Sequence, residues 1–167
     1  MSMATRIGPA ALAADRAAAY LELDRELAAL LAGEHDRVAN AANTAALIFT
    51  ALPDLNWAGF YFTQADGGLL LGPFQGRPAC VRIAAGRGVC GAAAAARRTL
   101  VVPDVHAFAG HIACDTASNS EIVVPLLHAD GTLLGVLDLD SPTPGRFDVT
   151  DQAGLERLAA TFVRSLG

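Results

Sequence analysis

Three cysteines, Cys80, Cys90 and Cys114, stand 10 and 24 residues apart in this 167-residue chain. No C-x-x-C is present, so the spacing matches neither a zinc ribbon nor a thioredoxin-like dithiol. An odd thiol count with no evident secretory leader points to a reducing compartment, the cytoplasm by default, and to thiols kept for reactivity. Cys114 lies between Ala113 and Asp115 in a stretch with no regular period, seven residues before Glu121. Such a stretch of about 14 residues is uncommon in a compact domain unless it is functional. Cys90 begins an alanine-rich segment, which suits a small buried hydrophobe. His106 and His111 share the irregular stretch with Cys114. They are read either as loop-fixing side chains bonded to backbone or, with a second cysteine, as part of a zinc site.

A second group of candidates comes from pairing arithmetic. Glu121 to Leu127 and Thr132 to Leu139 read as two strands joined around Asp130-Gly131. A loop centred there pairs residues whose numbers sum to 261, which places Glu121 opposite Asp140. Asp138 is two residues from Asp140 and shares its face, roughly 7 Å away. Leu137 and Leu139 then point to the core. Carboxylates this close raise at least one pKa and supply a protonated acid near neutral pH. The alternative is a solvated face, or an Asp140 that caps the turn at Ser141-Pro142. Pro125 lies between Glu121 and the turn, where a bulge would shift this register by one.

The surrounding elements follow from periodicity. Tyr20, Leu23, Leu27, Leu30 and Leu31 mark one helix. Asp36 caps a second, whose apolar stripe is Val38, Ala41, Ala45, Ile48 and Leu52, and which ends at Pro53-Asp54. Trp57 to Thr63, Leu69 to Gly72, Val81 to Ile83 and Thr99 to Val102 read as strands. Gly86-Arg87-Gly88 opens a short helix to about Arg98, and a last helix from Asp148 buries Leu155, Leu158, Phe162 and Leu166. Trp57 and Tyr61 sit on a strand of which one face alone is core, so they are core residues or pocket walls. The order predicts one α+β domain over 1–167, with helices in 1–55, sheet and loops in 56–147 and a closing helix in 148–167. A central antiparallel sheet of about six strands would carry the terminal helices on one face and the active-site loops on the other.

Composition narrows the function classes. A 53% hydrophobic fraction suffices for one core, and a net charge of −5 disfavours nucleic acid and anionic membranes as partners. The twelve basic residues are all arginine, which excludes a Schiff-base or P-loop lysine. No apolar run approaches the roughly 20 residues of a membrane span.

Several runs of residues are familiar together. They include Asn56-Trp57-Ala58-Gly59-Phe60-Tyr61, Gly72-Pro73-Phe74-Gln75-Gly76, Pro78-Ala79-Cys80, Gly86-Arg87-Gly88-Val89-Cys90-Gly91 and Pro103-Asp104-Val105-His106. Gly110-His111-Ile112-Ala113-Cys114-Asp115, Ser118-Asn119-Ser120-Glu121 and Leu137-Asp138-Leu139-Asp140 complete the set. From about Trp57 to Phe147 the chain resembles the free methionine-(R)-sulfoxide reductases. That resemblance implies a GAF fold and reduction of the free amino acid, regenerated by thioredoxin with no metal or other cofactor. It implies that Cys114 is catalytic, Cys80 the principal resolving cysteine and Cys90 a third that shares that role. Glu121, Asp138 and Asp140 match the family's pocket carboxylates, and Trp57 and Tyr61 would pack around the S-methyl group. In this reading Glu121 with Asp140 supplies the proton, while Asp138 holds the ammonium group or tunes the other two. A homodimer is the expectation from the fold. The competing classes are a non-catalytic GAF sensor of a small ligand or redox state, and a zinc-stabilised binding module.

Overall fold

The computed structural model describes residues 15–112 and 115–167, so Cys114 lies outside the described residues. Helix α1 (Arg16–Leu30) and helix α2 (Arg37–Ala51) lead into β1 (Trp57–Thr63), β2 (Leu69–Gly76) and β3 (Arg82–Ile83). Helix α3 (Gly88–Ala96), β4 (Leu100–Val102), a 3-10 turn at Val105–Ala107, β5 (Ser120–Leu127), β6 (Leu133–Ser141) and α4 (Val149–Ser165) follow. The six strands form one sheet in the order β3-β2-β1-β6-β5-β4, antiparallel at every junction.

Alternation along the central strands sorts the core into two layers. Ala58, Phe60, Phe62, Ile122, Val124, Leu137 and Leu139 face α1, α2 and α4. Trp57, Tyr61, Val123 and Val136 face the other way, toward α3 and the loops. The layering is the one expected, and it determines the site. Helices seal one face of the sheet with hydrocarbon, so polar groups collect on the face covered by loops.

Two helix stripes are narrower than their periodicity suggested. Tyr20, Leu23, Leu27 and Leu31 are buried, but Leu30, the last residue of α1 and at the edge of that stripe, is 46% exposed. Ala41, Ala45, Ile48 and Leu52 are buried, whereas Val38 in the first turn is 58% exposed. Its neighbour Arg37 instead lays its guanidinium over the Phe62 ring, 4.4 Å from the centroid. Asp36 caps α2 as expected, accepting from Ala39 N at 2.8 Å. β2 runs four residues beyond the expected Gly72, and α3 stops at Arg97, which adopts a left-handed conformation.

The β5–β6 register holds Glu121 opposite Asp140 and Val123 opposite Asp138. It does so through two compensating features. The loop pairs Leu127 with Leu133, a sum of 260, and one unpaired residue, Leu134, restores 261 from Leu126–Gly135 onward. Pro125 pairs with Val136 without a shift, beyond the stretch of β5 that β4 covers.

Candidate active site

Rows of the sheet bring the site together. Trp57 on β1 stands opposite Asp140 on β6, which stands opposite Glu121 on β5. In the next row Gly59 stands opposite Asp138. Glu121 and Asp138 are each 6% exposed although both are ionisable. With Asp140, Cys90, Trp57 and Tyr61 they line a single pocket under α3 and the loop bearing His111 and Ile112.

The aromatic wall depends on a missing side chain. Trp57 stacks on Phe74 at 5.3 Å and on Tyr61 at 5.9 Å between ring centroids. Those rings close over Gly59, where a Cβ would lie 2.3 Å from Phe74 Cβ and 2.8 Å from Trp57 Cη2. The polar tips of the same aromatics are used as tethers: Trp57 Nε1 donates to Arg77 O at 3.2 Å, and the Tyr61 hydroxyl donates to Cys80 O at 2.9 Å. The wall and the Cys80 segment are therefore one unit. Cys80 itself is in a disulfide, whereas Cys90 is a free thiol in the pocket floor.

Crowded, buried carboxyls cannot all ionise. Burial, then the charges of Asp138 and Asp140, push Glu121 well above the usual carboxyl range. Burial, then Asp138, does the same to Asp140. Burial raises Asp138 to about 6, and hydrogen bonds from Cys90 and Glu121 hold it there against a larger rise. The cluster thus stores protons at neutral pH, with Asp138 the member that ionises. Its Oδ1 is buried without a hydrogen-bond partner. Burial, then Asp138 and Glu121, also raise the Cys90 thiol, which donates to Glu121 Oε1 at 3.9 Å.

The loops are held by residues whose roles the sequence did not reveal. Asn56 Nδ2 donates to Asp115 Oδ2 at 3.1 Å and to Ser118 Oγ at 3.0 Å, and its backbone N–H donates to Asp140 O. Ser118 hydrogen-bonds the Asp140 carboxyl in turn. One side chain therefore ties the loop on the C-terminal side of Cys114 to the acidic cluster. The signal was present in the Asn56-Trp57 and Ser118-Asn119 runs, but nothing in their spacing connects them. His106 is loop-fixing, as one reading held, although its Nε2 meets the Asn119 side chain at 3.0 Å, not backbone. His111 Nε2 lies 3.9 Å from Glu121 Oε2, and burial, then His106, lowers its pKa so that it is neutral at neutral pH.

The fold and this pocket define a GAF domain, whose family profile matches residues 3–166. A free methionine-R-sulfoxide reductase of Escherichia coli is 52% identical over 147 residues, 88% of each chain. The enzyme of that name from Saccharomyces cerevisiae is 48% identical, over 80% of this chain and 77% of its own. The X-ray structure of free methionine-R-sulfoxide reductase from Neisseria meningitidis in complex with its substrate superposes with a TM-score of 0.87. It is 47% identical and the match covers 92% of this chain and 91% of that one. This chain belongs to the free methionine-R-sulfoxide reductase family.

Proposed function

We propose that this chain reduces the R epimer of free methionine sulfoxide to methionine by cysteine sulfenic-acid and disulfide chemistry. The observation that carries the reading is the row Trp57–Asp140–Glu121, an aromatic wall set directly against a buried and a half-buried carboxyl that retain protons. A sulfoxide sulfur is a poor electrophile until its oxygen is protonated, and an acid with a raised pKa supplies that proton. Glu121 with Asp140 takes this role. The Cys114 thiolate attacks the sulfur, the oxygen passes to Cys114 as a sulfenic acid, and methionine leaves as the thioether. The Cys80 thiol then displaces water from the sulfenic acid to form a disulfide. Cys90, held protonated by its burial, shares the resolving role secondarily.

The remaining groups fit the rest of the amino acid. Trp57 and Tyr61 would flank the S-methyl group. The unpartnered Asp138 Oδ1 suits the ammonium group, whose charge would also offset the acidic field that opposes a thiolate. For the substrate carboxylate, the start of α3 is favoured over Ser118–Ser120. Ser118 N–H and Asn119 N–H are already bonded to Asp115 O and Ser141 O. The α3 N-terminus lines the pocket with no side-chain cap. Exchange with thioredoxin would reduce the disulfide, no metal or other cofactor being required for turnover. A cytoplasmic location and a homodimer complete the proposal; among the described residues no helix is long and apolar enough to cross a membrane.

The test is methionine release from free methionine-(R)-sulfoxide with a thiol reductant. Sustained release is expected, with the S epimer inert. An N-acetylated, C-amidated substrate lacks both charged termini, and losing one charged contact in a closed site costs about 1.5–3 kcal/mol, more than tenfold in binding. Comparable turnover of the blocked substrate, or preference for the S epimer, would overturn the reading.

A further inference from the structure

The floor of the pocket brings a thiol and two carboxylates from three elements together. Cys90 Sγ from α3, one oxygen of Glu121 from β5 and one of Asp138 from β6 all lie within 4.8 Å of one another, and all three residues are buried. The separate observation is Asp138 Oδ1, buried in this pocket and bonded to nothing. A buried acceptor without a donor is costly, and a cation satisfies it directly.

We propose that Cys90, Glu121 and Asp138 form a binding site for a thiophilic divalent cation of the zinc type, and that the ion occludes the pocket. Zinc takes one thiolate sulfur and carboxylate oxygens in four-coordinate geometry. Magnesium and calcium demand six or more oxygens, which three convergent side chains do not supply. His111 Nε2 lies 3.9 Å from Glu121 Oε2 but outside the convergent set, so a solvent oxygen would complete the four-coordinate shell. Binding exchanges protons for metal without any redox step: the ion enters, and the Cys90 thiol proton and the Glu121 carboxyl proton leave to solvent. Asp140, Tyr61, Asp115 and Arg87 are the other titratable or charged groups lining this pocket. The site differs from a His106/His111/Cys114 zinc centre, because its sulfur is Cys90 and His106 Nε2 is engaged with Asn119.

The site holds as metal chemistry whatever the protein catalyses. Its consequence rests on the proposed function: an ion on Glu121 and Asp138 removes the proton donor and the ammonium site together, so it inhibits in competition with the sulfoxide. The probe is Co²⁺ added to the reduced full-length protein, read by the thiolate-to-cobalt charge-transfer band and by displacement with Zn²⁺. A 1:1 band is expected in the wild type and in Cys114→Ser. It should be lost in Cys90→Ser, and Glu121→Gln should weaken binding by more than about 100-fold, since even an outer-shell partner is worth 10–100-fold. Circular dichroism establishes that the variants are folded. Zn²⁺ should displace cobalt, raising the apparent KM for sulfoxide with kcat unchanged, and Mg²⁺ should not. Absence of a band, its survival in folded Cys90→Ser, or its loss in Cys114→Ser would overturn the site. A chain that shows the band but releases no methionine without metal would retain the site and refute the enzymatic reading.

Discussion

The raised pKa values of Glu121, Asp138 and Asp140 bear on stability as well as on the proposed reaction. Asp138 is raised by burial from 3.8 to about 6, so between those values the folded chain holds a proton that the unfolded chain has released. The contribution favours the fold at low pH and is lost as pH rises through about 6. Glu121 and Asp140 shift in the same direction. Asp138→Asn should therefore unfold at the wild-type temperature near about pH 4 and above it near about pH 7.5; a lower melting temperature at both would contradict the shift. In catalysis Glu121→Gln and Asp140→Asn should slow single-turnover reduction by about 10²–10⁴-fold, the range of general acid catalysis. Glu121→Gln should also lose the fall in rate that the wild type shows as its acid deprotonates at high pH. Near-normal rates in both variants would remove the acid role. At this scale the acidic cluster was legible because strand pairing is arithmetic. Asn56, Ser118 and the tethers of Trp57 and Tyr61 were not, because their partners sit on loops whose path no local period encodes.

Strands and their glycines decide whether the pocket exists. β1 carries Trp57 and Tyr61 on the site face, and Gly59 between them leaves the space into which Trp57 and Phe74 lean. Gly59→Ala is expected to destabilise by about 1–3 kcal/mol, as overpacking does, and to raise KM more than it lowers kcat. Thermal unfolding and steady-state kinetics together check this; an unchanged KM would show that the wall does not touch substrate. The β5–β6 hairpin shows what a sequence can and cannot specify. Alternating Leu137, Asp138, Leu139 and Asp140 identifies the faces, so the pairing came out right. The five residues between Leu127 and Leu133 and the bulge at Leu134 were unseen, and they cancel. Leu30 and Val38 were over-assigned to the core for a related reason: periodicity reports a face, while exposure depends on how far the neighbouring element reaches.

Across the whole molecule, the sealed face of the sheet anchors what the open face uses. Asp151 on α4 is fully buried, accepts from Tyr20 at 2.8 Å on α1, and pairs with Arg16 at 3.0 Å and Arg146 at 3.1 Å. Arg146 Nε reaches Pro53 O just before β1, and Ser120 at the start of β5 binds Thr143 O and Arg146 N. The ends of β1, β5 and β6 that carry the acidic cluster are thus bound to α1 and α4 through one carboxylate. Asp151→Asn should cost about 3–5 kcal/mol, the usual loss on breaking a buried ion pair, measured by denaturant unfolding. A loss under about 1 kcal/mol would mean that the network is replaceable. The layer order was legible from the run of helices, strands and helix. This long-range anchor was not, because Asp151 also satisfies the local pattern of a capping box with Asp148. The central claim, that Cys114 reduces the free sulfoxide and Cys80 resolves it, is tested most directly by single-turnover methionine release from prereduced protein. Wild-type protein and Cys80→Ser should each release about one methionine per chain in the first turnover, with Cys80→Ser then stalling under thioredoxin, and Cys114→Ser should release none. Release by Cys114→Ser, or loss of the first turnover in Cys80→Ser, would contradict the account.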